Sequence, residues 1–172
     1  LDYALEFIKS HETMSDLDIV LFGHSWGGYA ALNSPHISDD IKAIVSVSAP
    51  SNANAMIYEQ AEKSLGFFVH FQKPYLALYQ RLIFNEYAGY DGIDAINKHD
   101  IPTFLIHGSE DAMVDINGSA AIARKDEVNS SIFEWMIIDS IGKNNHNHLL
   151  KSDQAITYID YLNTTYIALY NE

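Results

Sequence analysis

The sequence predicts an α/β layered fold with a mainly parallel sheet, and three observations carry that expectation. Short apolar, β-branched runs alternate along the chain with stretches whose apolar residues follow helical spacing. Three of those runs are closed by Gly23, Pro50 and Gly108, residues that interrupt regular structure. With 172 residues, 48% of them hydrophobic, the chain is long enough to bury about 70% of its unfolded surface in one core.

The elements follow in order. Leu1, Ala4, Leu5 and Ile8 share helical spacing, and His11 to Asp16 is a polar connection. Leu17 to Phe22 suits a buried parallel strand. Trp26 to Leu32, "WGGYAAL", resumes helical spacing until Pro35. Ile41 to Val47 is a second strand, "PTFLIHG" from Pro102 to Gly108 a third, and Ile132 to Ile138 a fourth. Between the last two, "INGSAAIARKDEV" is expected to be helical from about Ser119. Asp153 to Leu169 is expected to form a closing amphipathic helix.

The interval from Ser51 to Asp100 breaks the alternation and is too long for a bare loop. Ile57, Ala61, Leu65 and Phe68 share one helical face; after Pro74, suited to a first turn, Leu76, Tyr79 and Leu82 or Ile83 share another. The expected organisation is a core of residues 1–50 and 100–172 with a helical cap over 51–99. That insertion is rich in rings (Tyr58, Phe67, Phe68, Phe71, Tyr75 and Tyr79 among them), which can line an apolar pocket or pack on one another.

Composition narrows the function. Ten Lys and Arg against 23 Asp and Glu give a formal charge of −13, which repels nucleic acid and anionic membrane surfaces. The absence of cysteine excludes disulfides, thiolate nucleophiles and Cys-ligated metals. No apolar stretch approaches the roughly 20 residues that span a bilayer. A cytoplasmic location is the expectation. The chain opens without Met, directly on helical spacing, so a targeting segment upstream is left open.

Residues 23 to 28 read "GHSWGG" directly after an apolar run. Chance alone produces G-x-S-x-G in roughly 6% of chains this long, but strand before and helix after are what a nucleophile elbow requires. The turn lifts the Ser25 hydroxyl above the sheet, and the helix start offers the Trp26 N–H as an oxyanion donor. Serine needs a base and a carboxylate to orient it. Asp111 follows the third strand in "HGSEDAMV", with Glu110 beside it expected to face solvent. After the fourth strand, "NNHNHLL" offers His146 or His148 as the base. As a metal pair these histidines lack a third ligand nearby in sequence, so neither a metal nor a cofactor is expected. His24 is expected to leave the turn on the other side and pack or hydrogen-bond beneath it, and His107 lies in the third strand.

The order serine, acid, histidine, each on a loop after a strand, is that of the α/β-hydrolase fold. "IVLFGHSWGGYAAL", "IPTFLIHGSEDAMV" and "GKNNHNHLL" resemble the nucleophile, acid and histidine segments of that superfamily, in its serine aminopeptidase-like and dienelactone-hydrolase-like esterase branch. The resemblance implies Ser25 as nucleophile, Asp111 as acid and His146, followed by Asn147, as base. It implies a three-layer fold lacking the family's N-terminal strands, and with them the loop bearing the second oxyanion donor. An unpaired sheet edge would then favour self-association or require a missing N-terminal segment. The implied activity is hydrolysis of a small-molecule carboxylic ester or amide through an acyl-enzyme. An acyltransferase or peptidase with the same triad, or a non-catalytic binding module, are the alternatives.

Overall fold

The computed structural model describes residues 1–154 together with 156, 157, 161 and 164. It contains a four-stranded sheet, β1 (Ile19–His24), β2 (Ile41–Val47), β3 (Thr103–Gly108) and β4 (Phe133–Ile138), in the order β1-β2-β3-β4 with every pair parallel. Parallel neighbours require a crossover between them. Helix α2 (Trp26–Leu32) supplies the first; α3 (Ala53–Leu65), α4 (Val69–Phe84) and α5 (Gly92–His99) supply the second. Helix α1 (Asp2–Ser10) precedes the sheet.

Side chains alternate between the two faces of each strand. Ile41, Ile44 and Leu105 point to the face covered by Leu32 of α2 and by Ile93 and Ile96 of α5. Val47 and Ile106 point the other way and meet Leu149. The sheet is thus apolar on both faces, as buried parallel strands are. β1 forms one edge, and its Val20 and Phe22 are exposed.

Four expectations meet the structure differently. β1 begins at Ile19 rather than Leu17 and runs on through Gly23 and His24, because its register with β2 continues to the pair His24–Val47. The segment from Ser119 is not an α-helix: 3₁₀ turns run over Ala121–Glu127, broken at Arg124. Long-range pairing overrides the local preference here. The Ala121 N–H donates to Ala49 O at 2.8 Å, the Ser51 N–H to Ser119 O at 2.9 Å, and Pro50 bridges Ala120.

Pro74 is not in a first turn but is the sixth residue of α4. A 3₁₀ turn over Gly66–Phe68 leads straight into that helix, so it starts five residues before the proline. The exposed position tolerates the missing N–H, since the carbonyl of His70 it leaves unpaired lies on an exposed residue. The rings of the insertion are largely turned outward: Phe67, Phe68, Phe71, Tyr75 and Tyr79 are 63 to 74% exposed. Tyr58 differs, lining a cavity of about 430 Å³ with Leu76, Gln80 and Ser119. The expected closing helix, Asp153–Leu169, lies largely outside the described residues.

Within residues 51–99, α5 packs on the core. Its Ile93, Ala95 and Ile96 are fully buried, and a Cβ on Gly92 would stand 2.8 Å from the Leu32 Cβ. Asp91 caps α5, its Oδ1 accepting the Ile93 and Asp94 N–H groups. Its Oδ2 accepts from Asn52 and Arg124, and Arg124 also grips Glu127. This bracket ties the starts of α3 and α5 to the 121–127 segment.

Candidate active site

Why a serine should stand among glycines is answered by the turn itself. Ser25 has φ 55 and ψ −121, a conformation that L-residues adopt only under constraint. The constraint is visible on both sides: the Ser25 N–H donates to Val47 O at 2.8 Å, and the Tyr29 N–H donates to Ser25 O at 3.0 Å. A Cβ on Gly23 would lie 2.1 Å from Gly27 O, so the strand end and helix start approach closely enough to exclude any side chain. Gly27 has open space around its Cβ position. We therefore expect Gly23→Ala to destabilise by about 3 kcal/mol, since backbone atoms must move. Gly27→Ala, within α2, is expected to be neutral or to gain up to about 1 kcal/mol. Urea midpoints of the two variants check this contrast.

The acid comes from the turn after β3. A Cβ on Gly108 would fall 2.2 Å from Asn144 O, so the close approach of this strand end to the 139–148 loop also demands glycine. Asp111 is 5% exposed. Its Oδ1 accepts the N–H groups of Met113 and Val114, both at 2.9 Å, which fixes the carboxylate plane. Its Oδ2 lies 2.8 Å from His146 Nδ1. Burial pushes this carboxyl upward, but the bonds from His146 and from the Val114 N–H outweigh burial and bring it down to about 2. Glu110 is exposed, as expected, and its N–H donates to Asn144 O.

His146 Nε2 stands 3.0 Å from Ser25 Oγ. The tautomer follows from the partners: an ionised carboxylate only accepts, so Nδ1 carries the proton and Nε2 is left to accept from the serine hydroxyl. The structure therefore brings Ser25, His146 and Asp111 into one hydrogen-bonded chain. His148 turns elsewhere, its Nδ1 3.3 Å from Asn145 Nδ2. Trp26 opens α2, so its N–H has no partner inside the helix and stands beside Ser25.

Two further histidines stand beside this chain: His107, which the sequence placed only in the third strand, and His24, which it placed beneath the turn. His107, 1% exposed in β3, sits with Nε2 3.0 Å from Val114 O and 3.5 Å from Asp111 Oδ2. Burial lowers its titration, which leaves a neutral ring donating to the carbonyl. His24 reaches His146 rather than the underside of the turn: its Nε2 lies 2.9 Å from His146 O, and the two rings are 4.7 Å apart. The only sequence signal for either was adjacency, His24 to Ser25 and His107 to Gly108. Among the described residues no group of three His, Cys, Asp or Glu could hold a metal ion, and no helix is long and apolar enough to cross a membrane.

A parallel sheet with a serine on the β1–α2 turn, an acid after β3 and a histidine after β4 is the α/β-hydrolase fold, and this chain has it. Solved structures share it. The esterase domain of a Rhodothermus marinus protein aligns over 88% of this chain and 59% of its own, with 17% identity and a TM-score of 0.55. An acetyl xylan esterase from Paenibacillus sp. R4 aligns over 92% and 49%, with 16% identity and a TM-score of 0.61. The Pyrococcus horikoshii acylaminoacyl peptidase aligns over 86% and 22%, with 20% identity and a TM-score of 0.59. The chain thus spans less than two thirds of the length of these proteins. No protein-family model matches the sequence, and no curated protein matches it.

Proposed function

We propose that the chain carries the catalytic serine, acid and base of a serine hydrolase that cleaves a small-molecule carboxylic ester or amide. The observation that carries this reading is the unbroken run Ser25 Oγ, His146 Nε2, His146 Nδ1, Asp111 Oδ2, with contacts of 3.0 and 2.8 Å. Ser25 Oγ attacks the substrate carbonyl while His146 Nε2 takes the hydroxyl proton. The imidazolium so formed is stabilised by Asp111, and the Trp26 N–H faces the oxygen on which negative charge develops. His146 then returns the proton to the leaving alcohol or amine, leaving Ser25 acylated. Water, deprotonated by the same nitrogen, attacks the acyl carbonyl and releases the acid and the serine.

A bare esterase fold could also hold a serine with no catalytic role, so the decisive property is the nucleophilicity of Ser25. A fluorophosphonate probe is expected to label the chain at one site, Ser25, as read by mass of the tryptic peptide. An aryl acetate is expected to give a burst of phenol before the steady state, with an anilide of the same acyl group turning over more slowly. Labelling at another residue, or none, rejects the proposal.

A further inference from the structure

A triad works only if the gap between nucleophile and base is held, and misplacement by about 1 Å can cost on the order of 100-fold in rate. The 139–148 loop that carries His146 is fastened on its acid side by several bonds. Asn144 O accepts the Glu110 N–H at 2.9 Å, Asn144 Nδ2 donates to Ser109 Oγ at 3.1 Å, and Asp111 holds Nδ1. On the nucleophile side, His24 supplies the fastening. Its Nε2 is 2.9 Å from the backbone oxygen of His146, and its ring lies 4.7 Å from the imidazole at 49°.

We infer that His24 is a positioning residue for His146, binding the base's own backbone to the residue next to the nucleophile and so fixing the reach of Nε2 to Ser25 Oγ. The carbonyl oxygen can only accept, so His24 donates from Nε2. Partial burial and the neighbouring His146 imidazole lower the titration of His24, the bond to the His146 carbonyl raises it, Lys151 lowers it and Asp111 raises it, with a net downward direction. The net downward direction favours the neutral ring of His24, the form that adds no positive charge beside the imidazolium of the transition state. Its rate effects rest on the hydrolase reading, but the brace itself does not.

Two substitutions separate the donor from the ring. Gln places an amide nitrogen near the position of Nε2, whereas Phe keeps the ring and loses the donor. His24→Phe is expected to lower kcat for an aryl acetate by about ten- to 100-fold with little change in KM. It is also expected to broaden or abolish the proton NMR resonance of the His146 Nδ1–H that bonds Asp111. His24→Gln is expected to keep that resonance and stay within about threefold of the parent rate, as retention of the hydrogen bond implies. Urea midpoints confirm that both variants are folded; should the Phe variant unfold, the Gln variant alone decides, and a loss of its resonance overturns the inference. An unchanged rate and resonance in a folded Phe variant also overturn it. Should the parent chain show no turnover, the hydrolase reading fails, while the Nδ1 resonance still tests the brace.

Discussion

Ser25→Ala is expected to lower aryl ester turnover by about 10⁶-fold, and His146→Ala, alone or combined with it, is expected to reach the same floor. The equality is the informative part. Ser25 Oγ and His146 Nε2 stand 3.0 Å apart, and in the proposed reaction they share one proton, so removal of either is expected to abolish the nucleophilic step and removal of the second to add nothing. Any residual rate above water comes from binding and from the N–H groups near Trp26. His148→Ala is expected to stay within about threefold, since its ring nitrogen faces Asn145 rather than the serine. Steady-state kinetics on the four variants, with fluorophosphonate labelling as a second readout, check the set. A His148 variant as inactive as the His146 variant would remove the assignment of the base.

The parts of this site that were legible in the sequence are those where backbone geometry restricts residue choice. Ser25 at φ 55 and the 2.1 Å approach of Gly23 to Gly27 O leave few residue types that fit, so the turn is written as G-x-S-x-G. The 2.2 Å approach of Gly108 to Asn144 O marks the end of β3 in the same way, and the acid is found by counting from it. His146 and His148, in contrast, lie two apart on an irregular loop with no period to orient them. What separates them is the location of Asp111 Oδ2, a contact 35 residues away in sequence.

The contacts of His24 and the conformation of residues 121–127 were illegible for a related reason. Neither is decided by its own neighbours. Ala, Arg, Lys and Glu favour a helix over 121–127, yet the hydrogen bond from Ala121 to Ala49 and the Pro50–Ala120 bridge fix an extended entry and allow only 3₁₀ turns. Pro74 misled in the opposite sense: a strong local preference for helix starts was overridden because α4 had already begun at Val69.

Asp111→Asn is expected to lower kcat by about 10⁴-fold while leaving Ser25 and His146 in place. The reason lies in how the carboxylate is already used. Oδ1 accepts two backbone N–H groups, so an asparagine must put its own oxygen there and turn its NH₂ toward His146. Nδ1 then has to accept, the ring proton moves to Nε2, and the nitrogen facing Ser25 can no longer take a proton. The same substitution has a stability signature with a fixed sign. A carboxyl drawn from 3.8 down to about 2 in the folded chain contributes about 2 kcal/mol that is fully present above the unfolded value. That contribution fades as pH falls from about 4 through about 2, because the folded state then binds the proton that the unfolded state has already taken. Urea unfolding of parent and Asp111→Asn should therefore differ most near neutrality and converge by that amount in acid. Equal turnover in the two proteins would show that Asp111 does not set the tautomer of His146, and a stability gap that widens in acid would contradict the depressed carboxyl.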